Sequence, residues 1–144
     1  MNDELARLLL DQAPDAVIFA DLQGTIVEWN EGAEAIFGHA ALEAVGQNLD
    51  LIVPERFREA HWAGYTRALA EGETKYRGQA LPTRSIRKDG ADIYVELTFA
   101  IVKNADGTVI GALAHARDIT QRWAKEREQR ERLRELEQKL GEQP

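Results

Sequence analysis

The 144-residue chain contains no cysteine, which in one step excludes disulfides, thiolate metal sites, a cysteine nucleophile and a cysteinyl adduct to a flavin. Proline is scarce, with 4 residues, and glycine stands at 11, so neither a Pro/Gly-rich disordered chain nor a fibrous repeat is indicated. No run approaches 18 consecutive apolar residues, and the opening MNDELARLLLDQAPDA is acidic with an apolar stretch too short for a signal peptide. No membrane span is expected, and the cytoplasm is the default location. A basic face is missing as well. The net charge is -7, and the last 24 residues, with 7 Lys and Arg against 6 Asp and Glu, are nearly balanced, so the acidic excess lies in the first 120. Such a body disfavours nucleic acid as a partner. Catalytic signatures are also lacking: there is no Walker-type glycine loop, no G-x-S-x-G and no metalloprotease histidine pair. Asp21, Glu28, Asp89, Glu96 and Asp118 are scattered, with no pair set for general acid and base work, so no enzyme is expected.

What is present is one domain's worth of protein, 44% apolar and 30% charged. Leu5, Leu8, Leu9 and Ala13 share one side at helical spacing, predicting a short amphipathic helix within residues 1–13 that Pro14 ends. AVIFADLQGTIVEWN reads as two strands around an Asp21-to-Gly24 turn, and Asn30 is placed to cap a helix from Glu31 to Phe37. A further helix is expected from near Pro54 to just before Gly72. RGQALPTRSIR, ADIYVELTFAIV and TVIGALAHARD are strand-like and joined by Asp-Gly turns. From Thr120 the chain becomes a charged helix, with i,i+4 pairs Glu126 with Arg130, Glu128 with Arg132 and Glu135 with Lys139, and a heptad seam at Leu133, Leu136 and Leu140. Because consecutive hairpins make both strand groups antiparallel, the expected fold is α+β: a five-stranded antiparallel sheet with helices on one face. The organisation is an N-terminal cap helix (1–13), a core (14–120) and a coiled-coil-like output helix (121–144).

The stretches DAVIFAD..G.IVEWN..AE.IFG, A.VGQNLDLIVPERFR, IRKDG...YVELTFA and ARDIT together resemble the PAS domain family over nearly the whole chain, Leu5 to Thr120. The resemblance implies a cupped sheet whose helices enclose a pocket, which in that family holds haem, flavin, a small metabolite or nothing. It also implies a sensory role in signal transduction, with homodimerisation through the terminal helices and a downstream signalling domain or partner protein. RDIT, Arg117 to Thr120, resembles the family's junction to an output helix; Thr120 is expected to cap the first helical turn and Asp118 to lie at its positive end.

Haem needs an axial ligand on an apolar wall, and there are three histidines. His39 follows a helix-ending glycine and is expected in solvent. His115 alternates with Ala112, Ala114 and Ala116 and is expected on the other face of its strand. His61 lies with Phe57, Gly64, Tyr65 and Ala68 on the inward stripe of its helix, where Gly64 removes bulk that would block a flat ligand. VPERFREAH resembles the helix of the haem-PAS oxygen sensors in which a histidine seven residues after the proline is the proximal iron ligand, and His61 is seven after Pro54. That resemblance further implies Arg67 near the haem propionates and Leu97 and Phe99 on the gas side, although strand alternation alone also turns these two inward. It places Leu81 where oxygen-binding relatives carry an arginine and Gln79 where a redox-type relative carries a methionine, making Gln79 the available polar group. Haem b through His61, sensing a diatomic gas or redox state, is the specific expectation. A cofactor-free or metabolite-binding pocket serving dimerisation and protein-protein signalling stays open beside it. Of the three tryptophans, Trp29 is expected in the core, Trp62 at the pocket flank and Trp123 over the sheet edge or a partner's helix.

Overall fold

The computed structural model describes residues 2–74 and 79–142. Asn2 accepts the Leu5 amide at 2.7 Å and starts α1 (Asp3–Gln12). A hairpin of β1 (Ala16–Ala20) and β2 (Ile26–Trp29) follows, its turn closed at Gly24, whose φ of 80° lies in the left-handed region. Then come α2 (Glu31–Phe37), α3 (Ala41–Ala44), two 3-10 turns (Leu49–Ile52 and Glu55–Phe57) and α4 (Arg58–Glu71). Three strands, β3 (Leu81–Ile86), β4 (Asp92–Lys103) and β5 (Val109–Asp118), lead into α5 (Thr120–Glu142). The expected third strand began at Arg77; Arg77 and Gly78 lie outside the described residues. All four strand pairings are antiparallel, in the order β2-β1-β5-β4-β3, so the hairpin from the start of the chain docks on the last strand and β3 is left at an edge.

Alternation decides which face is buried. Ala16, Ile18 and Ala20 of β1 pair with Ala116, Ala114 and Ala112 of β5, and the alanines of this row let α2 lie close to the sheet. Phe37 is wholly buried with Ile26, Trp29, Ala33, Ile93 and Val95 around it, and each large apolar side chain sealed this way contributes about 1.5–3 kcal/mol. Asn30 and Ser85 are the buried polar residues among those described, and Asn30 is fully used. Its Oδ1 accepts the Val17 amide at 2.8 Å and the Ala33 amide at 3.0 Å, while its Nδ2 donates to the carbonyls of Leu10 and Asp15. One side chain thus caps α2 and ties the end of α1 to the first strand.

At the other end of the sheet, capping departs from expectation. Thr120 is already inside the helix and Ile119 holds the cap position, its carbonyl accepting the Trp123 amide; the side-chain acceptor is Asp118, whose carboxylate accepts the Thr120 amide at 2.9 Å and its hydroxyl at 2.6 Å. Thr120 Oγ1 turns back and accepts the Tyr94 amide of β4 at 3.1 Å. Trp123 stacks on Tyr94 with ring centroids 4.6 Å apart, which puts it on the outer sheet face over β4 rather than at an edge. Along α5, Glu128 pairs with Arg132 as expected, but Glu126 pairs with Arg122, since Arg130 is drawn over the Trp123 ring at 5.7 Å. Leu133, Leu136 and Leu140 are exposed, as are Leu5, Leu8 and Leu9 of α1. Among the described residues no helix is long and apolar enough to cross a membrane.

Candidate functional site

Between α4 and the sheet lies a cavity of about 310 Å³. His61, Gly64, Tyr65 and Ala68 line it from the helix, Leu81 from the start of β3, Phe99 and Ile101 from β4, and Ala112 from β5. Arg67, Glu71, Glu73 and Thr74 stand at its rim.

The helix that roofs the cavity is held by polar contacts more than by buried apolar ones, since no residue of α4 is fully buried. Tyr65 donates its hydroxyl to the Asp21 carbonyl at 2.6 Å, and Trp62 Nε1 donates to Asp50 Oδ1 at 2.7 Å. Arg58 Nε donates to the Val53 carbonyl at 3.1 Å. The Trp62 ring lies against Gly24, where a β-carbon would stand 2.2 Å from it, so the hairpin glycine serves the seating of α4 as well as its own turn. Burial, with the nearby Asp21 charge second, pushes the Tyr65 phenol up to about 12, so it stays a proton donor at neutral pH.

His61 sits between these two anchors, its ring 4.8 Å from Trp62 edge-on and 5.9 Å from Tyr65. Its Nδ1 is buried and makes no hydrogen bond among the described residues. Burial lowers the imidazole pKa below its ordinary value, against a smaller upward pull from Asp50. The ring is therefore neutral near pH 7, with one nitrogen unspent, while the other buried side-chain polar atoms among the described residues are paired. Chemically the arrangement offers a hydrogen bond or a metal-binding lone pair on an otherwise apolar wall. Among the described residues no three His, Asp or Glu side chains converge on a metal, so an ion bound here would have to bring most of its own ligands.

Of the residues singled out from the sequence, His61, Tyr65, Arg67, Leu81 and Phe99 come together around this cavity. Two do not. Leu97 joins Leu49, Leu51 and Ile52 against the core, and the cavity opens beyond it at Phe99 and Ile101. Gln79 is exposed and outside the lining, two residues before β3 begins. His39 is half-buried rather than in solvent: its ring lies 6.3 Å from Trp29, and its carbonyl accepts the Trp29 indole N–H at 2.9 Å. His115 is exposed on the outer face. Glu71 and Thr74 were not anticipated; Glu71 follows Gly64 and Arg67 at helical spacing, so extending the stripe by one turn would have found it.

The PAS fold family model matches residues 10–124. The sensor protein FixL of Bradyrhizobium diazoefficiens is 28% identical over 134 residues, covering 93% of this chain and 25% of FixL. The oxygen sensor protein DosP of Escherichia coli is 28% identical over 139 residues, covering 88% of this chain and 16% of DosP. Among solved structures, the PAS domain of a protein from Colwellia psychrerythraea superposes with a TM-score of 0.71 at 26% identity, covering 82% of this chain and 97% of that one. The chain spans a quarter or less of the length of these curated relatives.

Proposed function

The chain belongs to the PAS family, and from that premise we propose that it is a sensory module whose cavity takes a ligand at His61 and whose α5 passes the event onward. The observation that carries the reading is the buried, unpartnered nitrogen of His61 on the cavity wall. Haem b is the occupant that the donor set fits best. A single neutral imidazole suits an iron that brings four nitrogen ligands of its own. Leu81, Phe99, Ile101 and Ala112 supply the apolar walls, and Arg67 at the rim offers a charge-assisted partner for a propionate. Bound haem would supply an iron able to take a diatomic gas or change redox state, and the naming of DosP as an oxygen sensor supports the gas reading. The Leu81 side chain has no hydrogen-bond donor for such a gas. Binding and relay, without turnover, is the proposed role: Asp50 is engaged by the Trp62 indole, and the carboxylates of the lining, Glu71 and Glu73, stand at the rim.

A second reading rests on size. At about 310 Å³ the cavity is at the small end of ligand pockets, which favours a compact apolar metabolite hydrogen-bonded to His61. Hemin titration of the purified chain decides between them. A Soret band saturating at one haem per chain, and lost in a folded His61→Ala variant, is expected. No Soret band, or the same band in His61→Ala, would refute haem at this residue, and mass spectrometry of the native protein then asks for the metabolite.

The same proposal includes a homodimer in the cytoplasm, with a downstream signalling domain or partner protein receiving α5. Leu5, Leu8 and Leu9 are 45–56% exposed on one side of α1, and the seam leucines of α5 are 52–69% exposed, so each terminal helix presents an apolar row that a second copy can cover. A monomer by light scattering would remove this part.

A further inference from the structure

We infer that Arg84, Tyr94 and Trp123 form the mechanical link by which a change at the cavity wall reaches the outgoing helix, with Arg84 and Tyr94 acting as positioning residues for Trp123. The inference rests on the proposed sensory role of the cavity. Its starting point is a shared strand. β4 carries Phe99 and Ile101 into the cavity on one face, and toward its other end it presents Tyr94 on the opposite face, where α5 begins. Nearly every tie of α5 to the sheet converges on Tyr94. Its amide donates to Thr120 Oγ1, its carbonyl accepts the Ile119 amide at 2.9 Å, and its ring stacks on Trp123 at an interplanar angle of 16°. Glu96, the next outward residue of β4, adds the Arg122 ion pair at 2.7 Å.

The phenol ring is in turn held by β3. Arg84 is the cross-strand partner of Tyr94, donates to its hydroxyl, and places its guanidinium carbon 5.2 Å from the ring centroid. A row of four groups results: Arg84, Tyr94, Trp123 and Arg130, running from β3 to nearly three turns into α5. β3 is one of the two edge strands and is bonded only to β4, so it is less restrained than the inner strands. It begins at Leu81, which is cavity wall, about 10 Å along the strand from Arg84. Whatever shifts Leu81 therefore tilts the strand that orients Tyr94, and a flat stack converts that tilt into a reorientation of Trp123. The row is not part of the cavity, and nothing in it needs to touch a ligand.

The link is tested without any ligand, by resizing the cavity wall and reading Trp123. The full chain is labelled with 5-fluorotryptophan, and its three resonances are assigned from Trp29→Phe, Trp62→Phe and Trp123→Phe. Leu81→Phe and Leu81→Ala change the wall in opposite senses; two are used so that one poorly folded variant does not end the test. Both are expected to displace the Trp123 resonance, and adding Tyr94→Phe, which keeps the stacked ring but loses the Arg84 bond, is expected to abolish that displacement. A purely structural Tyr94 hydroxyl would lower the melting temperature and leave the displacement in place. An unmoved Trp123 resonance in both Leu81 variants, or an equal displacement with Tyr94→Phe present, would overturn the link. Because hemin is not used, failure here is separate from failure of the Soret test.

Discussion

The two ends of the sheet are built to different standards of packing. Around β1, β2 and α2, Phe37, Ile26 and Trp29 are sealed, Asn30 has every hydrogen bond it can use at both ends of its amide, and a β-carbon on Gly32 would stand 2.2 Å from the Asp15 carbonyl. In α4 no residue is fully buried, a β-carbon on Gly64 would meet no atom within 4 Å, and His61 keeps a buried nitrogen without a partner among the described residues. Helix packed on strand thus makes a rigid frame on one side and an adaptable wall on the other. Low local contact density is where sub-global opening concentrates, and it is also where a ligand can be accommodated without dismantling the core.

The frame should break first and hardest. Phe37→Ala removes a wholly buried ring from the centre of the tight half, where neighbours have no slack to close the void. A loss of about 3–5 kcal/mol in urea unfolding is expected. A loss under about 1 kcal/mol would mean that this half relaxes as readily as the other, and the contrast would fail.

His61 sharpens the comparison from the other side. Replacing an unsatisfied buried polar group by an apolar one of similar size removes its desolvation cost, so His61→Leu should be as stable as the wild type or up to about 1–3 kcal/mol more stable. The pH dependence gives a second reading of the same residue. Burial holds the folded imidazole below its ordinary pKa, so below about pH 6.5 the unfolded chain binds a proton that the folded chain resists. Stability is then full above that value and is lost as pH falls toward the folded pKa. His39, also lowered chiefly by burial, contributes with the same sign. The wild-type slope in acid should therefore shrink in His61→Leu and not vanish; identical slopes would show that His61 protonates as freely folded as unfolded.

The contrast itself was only half legible in the sequence. Strand alternation and Asp-Gly turns announced the five strands, and Asn30 before Glu31 announced a helix cap, because these signals are local in the chain. That Asn30 also holds the carbonyls of Leu10 and Asp15 depends on where α1 ends in space, which no spacing rule encodes. The helical stripe brought His61, Gly64 and Tyr65 to one face correctly, but period two along β4 could not say where α4 crosses the strand, so Leu97 and Phe99 were indistinguishable until the cavity was seen to open beyond Leu97. Gly24 carried a double meaning of the same kind: its turn was readable, while the Trp62 ring against it, arriving from 38 positions later, was not.

Glycine to alanine at Gly64 has the smallest expected effect, and its sign is what matters. Gly64 lies within α4, has no positive φ, and offers an added methyl open space in the cavity. In a helix interior alanine spares the backbone entropy that glycine loses on folding, so Gly64→Ala should stabilise the chain by roughly 0.5–1 kcal/mol. The same substitution at Gly24 meets a φ of 80° and the Trp62 ring, and must destabilise by unseating the anchor of α4. Glycine at position 64 therefore works against helix stability while leaving space beside it. Binding should follow volume at that position: Gly64→Leu, filling the cavity from the helix side, should abolish hemin uptake while urea unfolding shows a chain at least as stable as wild type. A destabilised Gly64→Ala would mean that α4 already touches the sheet there in solution, and undiminished hemin uptake by Gly64→Leu would place the ligand elsewhere.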